Sequence, residues 1–208
     1  MAGLLHVLSS PAGQRSASIG IARIFVDSWR RAHPGQQAET LNLWSTDLPE
    51  LDSAALAARA AVEAGRKPVG AEAAIWARLH ELAQPLLAAD RLLISAPMWN
   101  FGLPYRLKHY IDCITQPNLT YRGSPAEGFE GLVPGKPATL ILSRGGSYPA
   151  GSDREPFDFQ RRYLEAWLGF LGYRPVETIL VEPTTGEPAA IRTASDQAEQ
   201  QARELACN

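Results

Sequence analysis

Short apolar stretches alternate with amphipathic helical patterns along this chain, and few architectures accommodate that rhythm. Leu4-Leu5-His6-Val7-Leu8 is the first stretch, apolar on both faces as parallel strands between helix layers are. His6 has no partner visible in the sequence and reads as a packed core or strand-end histidine. Residues 19–32 follow as a helix with Ile21, Ile24, Phe25 and Trp29 on its buried side. Residues 39–43 make a second, shorter strand. An Ala-rich helical stretch over 54–63, a surface loop over 65–70 and a longer helix over 71–88 come next, the last with Ile75, Leu79, Leu82 and Leu86 on one side. Pro85 sits late in that helix, where an interior proline costs ~3 kcal/mol, so a kink or early end is expected. Asp90-Arg91 opens a third strand through Leu92-Leu93-Ile94, and a helix over 105–115 carries Leu107, Tyr110, Ile111 and Ile114 on one face. Residues 116–134 are irregular; a connection of that length is usually functional or holds a small hairpin. Residues 137–143 and 176–181 are the fourth and fifth strands, with a helix over 157–171 between them and another over 189–205 at the end. This alternation predicts an α/β three-layer sandwich around a five-stranded parallel sheet of order 2-1-3-4-5, one domain over 1–208.

Composition narrows the function. A net charge of -2 leaves no basic surplus for neutralising nucleic-acid phosphates. No apolar run approaches the ~20 residues of a membrane span, and the N-terminus lacks the pattern of a signal peptide. Cys113 and Cys207 form neither a disulfide framework nor a metal-ligand spacing. A reduced, cytoplasmic protein is expected, with no metal, nucleic-acid or membrane partner.

Three loops carry the chemistry. After the first strand, Ser9-Ser10-Pro11-Ala12-Gly13-Gln14-Arg15-Ser16-Ala17-Ser18 leads into a helix, an arrangement that turns backbone N–H groups toward a phosphate. It matches neither a P-loop nor a G-x-G-x-x-G turn. A helix end alone offers ~0.3–1 kcal/mol, against ~1.5–3 kcal/mol for each hydrogen bond to a charged group, so anion binding needs several hydroxyls and amides together. The alternative is that Ser16 or Ser18 is simply an N-cap. After the third strand, Met98-Trp99-Asn100-Phe101-Gly102 offers apolar faces and an amide to a flat heteroaromatic ring; alternatively its aromatics plug the end of a core. After the fourth strand, Ser143-Arg144-Gly145-Gly146 exposes two unobstructed N–H groups, or is merely a tight turn.

In the 2-1-3-4-5 order all three loops meet at the switch point where such sheets bind ligands. A ligand asking for a phosphate grip, an aromatic cradle and amide donors to a polar ring is flavin mononucleotide (FMN).

At these residues the chain resembles the FMN-dependent NAD(P)H azoreductases of the flavodoxin-like superfamily, which also reduce quinones. The resemblance spans nearly the whole chain. It is strongest at Pro97-Met98-Trp99-Asn100-Phe101 with Pro104, Leu107-Lys108 and Tyr110-Ile111-Asp112, and extends to Ser9-Ser10, Ser16-Ala17-Ser18, Gly128, Gly131-Leu132 and Ser143 to Gly146. Trp99 departs from the tyrosine usual in the family, keeping a ring and losing a hydroxyl. The stretch over 54–69 follows the family only loosely. The resemblance implies that Ser10, Ser16, Ala17 and Ser18 hold the FMN phosphate, that Met98, Trp99, Asn100 and Phe101 flank the ring, and that Ser143, Arg144, Gly145 and Gly146 serve its other polar edge. It also implies a homodimer with each active site finished by the second subunit; Trp44, Trp76 and Phe129 are candidates for that interface.

On this reading NADH or NADPH delivers hydride and a quinone or azo compound then takes two electrons in ping-pong fashion. Asn100 orients the ring's polar edge, and the amides of Gly145 and Gly146 face the side that gathers negative charge. Tyr121 and Tyr148 are candidate acceptor contacts. Two rivals remain: a flavodoxin-type electron carrier, for which -2 is a weak docking charge, and a flavin-free phosphate-binding module. Direct NADH oxidation excludes the first and a yellow purified protein the second.

Overall fold

A computed structural model describes residues 2–207. Strands β1 (Ala2–Leu8), β2 (Gln37–Asn42), β3 (Arg91–Pro97), β6 (Ala138–Ser143) and β7 (Val176–Val181) form one parallel sheet of order β2-β1-β3-β6-β7. This is the expected five-strand order; the higher numbers arise because a two-stranded hairpin, β4 (Tyr121–Ser124) with β5 (Gly128–Gly131), occupies the long connection over 116–134.

Alternation along the strands sends side chains into two cores. Leu4, Leu93, Ile141 and Ile179 pack with α1 (Ala17–Ala32) and α6 (Pro188–Leu205). Leu5, Val7, Leu92, Ile94, Leu140 and Leu142 pack with α3 (Ala71–Ala88), α4 (Tyr105–Ile114) and α5 (Phe159–Leu171). α2 (Ser53–Glu63) lies against α3 and is capped by Asp52, whose side chain accepts from Ala55 N.

Several boundaries differ from the sequence expectation for local reasons. α3 does not stop at Pro85: the chain continues helically to Ala88 because Leu86 is fully buried and Ala89 N closes on Pro85 O at 3.1 Å. β3 runs on through Ser95, Ala96 and Pro97, which pair with β6, so the turn is shorter than the motif suggested. α5 begins at Phe159, after its cap Asp158, which accepts from Arg161 N at 3.0 Å; Phe157 falls in a short 3-10 turn. Ile24, Ile75 and Leu82 are only half-buried.

Register sets where the loops emerge. Leu8 pairs with Ser95, Pro97 with Ser143 and Ser143 with Val181. The carboxyl ends of β1, β3, β6 and β7 therefore finish along one edge, and the three suspected loops leave the sheet side by side.

His6 does have a partner across the strands: its Nε2 lies 2.8 Å from Ser95 Oγ, and the ring is buried. Burial depresses its pKa from the ordinary 6.5 to about 4, so the fold holds the neutral ring. The unfolded chain takes up this proton first as pH falls. The contribution to stability is therefore whole above pH 6.5 and is lost at about 1.4 kcal/mol per pH unit on the way down to about pH 4. Urea denaturation across that window should show this slope, and His6→Gln should remove most of it; equal slopes in the two proteins would contradict the assignment. Burial also raises the Cys113 thiol to about 12, leaving it unreactive at neutral pH.

Candidate functional site

The loop after β1 is anchored to β3. Ser9 donates to Ser95 O twice, from its backbone N at 3.1 Å and its Oγ at 2.9 Å. After a short 3-10 turn over Gly13–Arg15, Ser16 occupies the N-cap position of α1, yet its hydroxyl caps nothing. It sits 3.1 Å from Ser18 Oγ instead, both side chains being buried. Gly20 N is the first amide of the helix to find an acceptor, Ser16 O at 3.0 Å. The N–H groups of Ala17, Ser18 and Ile19 donate to no described residue. Three orphaned donors and two hydroxyls at a positive helix end, with Ser10 Oγ holding Ala12 N at 3.3 Å beside them, form a nest for an anion. The side-chain capping role offered by the sequence is not taken up.

The loop after β3 is a strained corner. Trp99 N donates to Gly102 O at 3.1 Å and Gly102 N to Trp99 O at 2.9 Å, closing a two-residue turn. Its central residues, Asn100 (φ 47°) and Phe101 (φ 70°), both adopt positive φ, the type I′ geometry that usually calls for Asn-Gly. A phenylalanine there costs about 1–3 kcal/mol. Met98 N bonds Ser143 O at 2.8 Å, tying the corner to the end of β6. The aromatics do not plug the core: Trp99 is 37% and Phe101 48% exposed. The turn's hydrogen bonds impose this conformation and leave Asn100 and the two rings exposed.

The loop after β6 is fastened by its carbonyls. Thr184 donates to Arg144 O from both N and Oγ1 at 2.9 Å, and Thr185 Oγ1 donates to Gly145 O at 2.8 Å. The amides of Gly145 and Gly146 are left without an acceptor among the described residues. Thr184 and Thr185, just past β7, were not suspected from the sequence; two hydroxyls following the fifth strand are the only hint.

Two candidate residues have side chains engaged away from the three loops within this chain. The Arg144 side chain does not face the crevice: it is fully buried, paired with Asp158 at 2.9 Å and Glu182 at 3.3 Å, and donates to Gln160 Oε1 at 3.2 Å. Its backbone alone borders the site. Tyr121 does not join the three loops within one chain. It is buried against Phe129 and Phe170, its hydroxyl accepts from Arg59 at 3.3 Å, and it lines a separate cavity with Gln116 and Asp112. Tyr148 is half-buried, its ring 5.6 Å from the Arg144 guanidinium carbon.

The residues present fit FMN. The orphaned N–H groups at α1 suit its phosphate, the projecting corner suits its ring, and the free Gly145 and Gly146 amides suit that ring's polar edge. A family model described as the flavodoxin-like fold matches residues 2–206. The chain belongs to this family. Among its flavodoxin-like relatives, an FMN-dependent NADH:quinone oxidoreductase 3 of Pseudomonas fluorescens is 41% identical, covering 99% of this chain and 98% of its own length. An FMN-dependent NADH:quinone oxidoreductase of Nitratidesulfovibrio vulgaris is 39% identical over 99% of both chains. An azoreductase structure from Bacillus anthracis superposes with a TM-score of 0.89 at 24% identity, covering 100% of this chain and 99% of the other. An FMN-dependent NADH-azoreductase from the same species, solved in complex with FMN, gives 0.85 at 25% identity over 99% and 100%. Among the described residues no helix is long and apolar enough to cross a membrane, and no group of His, Cys, Asp and Glu is placed to hold a metal ion.

Proposed function

We propose that this chain is an FMN-dependent NADH:quinone oxidoreductase that also reduces azo compounds, the whole chain acting as one domain. The observation that carries the reading is the convergence of three loops whose unpaired donors and projecting rings match the parts of FMN, in a chain about 40% identical to enzymes of that name. When bound, FMN supplies the two-electron chemistry, and everything else falls to the protein.

Ser16, Ser18 and the Ala17–Ile19 amides, with Ser10 alongside, grip the phosphate. Met98, Trp99 and Phe101 flank the ring, and Asn100 offers its amide to the polar edge. Gly145 and Gly146 would donate to the ring's other polar edge from fixed positions that need no reorganisation. Ser143 holds the corner in place through its carbonyl. Tyr148, two residues beyond the Gly pair, takes the acceptor-contact role.

NADH and the acceptor use one open face in turn. Initial rates at varied NADH and several fixed quinone concentrations should give parallel lines in a double-reciprocal plot. Intersecting lines would require both substrates bound together and would end the shared-face scheme. Direct oxidation of NADH also separates this reading from an electron carrier.

The active enzyme is a homodimer. The Phe101 ring lies 5.3 Å from that of Phe157, tilted by 42°, and Phe159 and Tyr163 continue the exposed apolar surface beside the corner. A patch of that kind, rimmed by charges, is the signature of a protein contact. Trp76 is half-buried against the core, and Phe129 is exposed. Sedimentation equilibrium should return twice 22.6 kDa, and Phe159→Lys should shift the mass toward the monomer and lower activity with it. A wild-type monomer with full activity would refute the arrangement.

A further inference from the structure

The loop after β2 carries a hydrogen-bond donor with nothing to donate to. Trp44 Nε1 is shielded from water and bonds to no described residue. The loop that presents it is well fixed: Trp44 N donates to Asn42 Oδ1 at 3.0 Å, and Arg106 of α4 bonds the carbonyls of Leu43 and Thr46 on either side. Its ring lies 5.8 Å from that of Trp99 and 5.4 Å from that of Tyr105. A buried indole N–H normally has a partner, and one without costs free energy that phenylalanine in the same place would not. The aromatic packing therefore accounts for a ring at position 44 and leaves its N–H unexplained.

Trp44 also lines a cavity of about 360 Å³ together with Ser10, Pro11 and Gly13, the opening residues of the phosphate loop. Trp44 thus shares a cavity with the opening residues of the phosphate loop, on the side of the sheet away from the Gly pair. Trp99 and Tyr105, the rings that border the indole, are themselves exposed, so its edge can open toward an entering ligand without disturbing the core.

We propose that Trp44 Nε1–H donates to an oxygen on the phosphate-bearing tail of FMN. The inference rests on the placement of FMN given above. It adds a fourth loop, the one after β2, to the cofactor site.

The test is Trp44→Phe, which keeps the ring and removes the donor. Flavin fluorescence titration of the apoprotein should give an FMN Kd about tenfold higher than wild type, equivalent to about 1.4 kcal/mol. The apoprotein's own Tm should be unchanged or higher, since the variant loses an unsatisfied group. In 15N-labelled wild type, the indole N–H resonance that vanishes in Trp44→Phe should move downfield when FMN is added. An unchanged Kd, an apoprotein destabilised in step with the weaker binding, or an unmoved resonance overturns the role given to Trp44. Wild type that fails to bind FMN overturns the placement of the cofactor and this contact with it, so the two failures are told apart by the wild-type titration.

Discussion

Arg144→Met is expected to lower the unfolding free energy by about 3–5 kcal/mol, the range for removing one partner of a buried ion pair. The guanidinium is fully buried between Asp158 and Glu182, whose side chains are themselves 8% and 14% exposed. Methionine fills much of the volume but strands two carboxylates away from water. In a chain of this size about 1 kcal/mol corresponds to 2–4 °C, so Tm should fall by roughly 10 °C. Arg144→Met combined with Asp158→Asn and Glu182→Gln should recover most of the loss, because the cost lies in uncompensated charge and not in the missing attraction. A single variant destabilised by less than about 1 kcal/mol, or a triple variant no better than the single, would contradict this account. The effect also bears on function, since the backbone of Arg144 aims the Gly145 and Gly146 amides.

Replacing Ser16 and Ser18 together by alanine is expected to weaken FMN binding by about 100-fold or more. Each hydroxyl bonded to a charged phosphate contributes about 1.5–3 kcal/mol, well above the ~0.3–1 kcal/mol from the helix end that survives the change. Riboflavin, which has the ring and lacks the phosphate, supplies the control. Its affinity should be the same for both proteins. A fall in FMN and riboflavin binding of equal size would mean that the serines support the fold or the ring, and the phosphate assignment would fail. The buried contact between the two hydroxyls makes the double variant the cleaner test, because a single substitution leaves its partner free to reorient.

Much of this was legible in the chain itself. Apolar runs such as Leu92-Leu93-Ile94, bounded by helical periodicity, declare strands buried on both faces, and that alone demands helices to cover them. The 2-1-3-4-5 order is one of the common orders for such sheets, and it brings the ends of β1, β3 and β6 together. The hydroxyls of the first loop, the Met98–Phe101 corner and the Gly pair were visible as residue types because their chemistry is local.

Contacts between residues far apart in the chain were decided only by folding. Arg144 beside a Gly pair reads as a ligand contact, and only the meeting of β6 with Asp158 and Glu182 turns its charge inward. Tyr121 and the corner are separate because the hairpin over 121–131 lays that ring against Phe129 and Phe170. His6 acquires Ser95, and Gly145 acquires Thr185, through strand register that no local pattern encodes. The positive φ of Asn100 and Phe101 is likewise sustained by hydrogen bonds across the turn and out to β6. Periodicity and loop chemistry are written residue by residue. Where a buried charge or an unpaired donor finally points depends on which distant backbone closes over it.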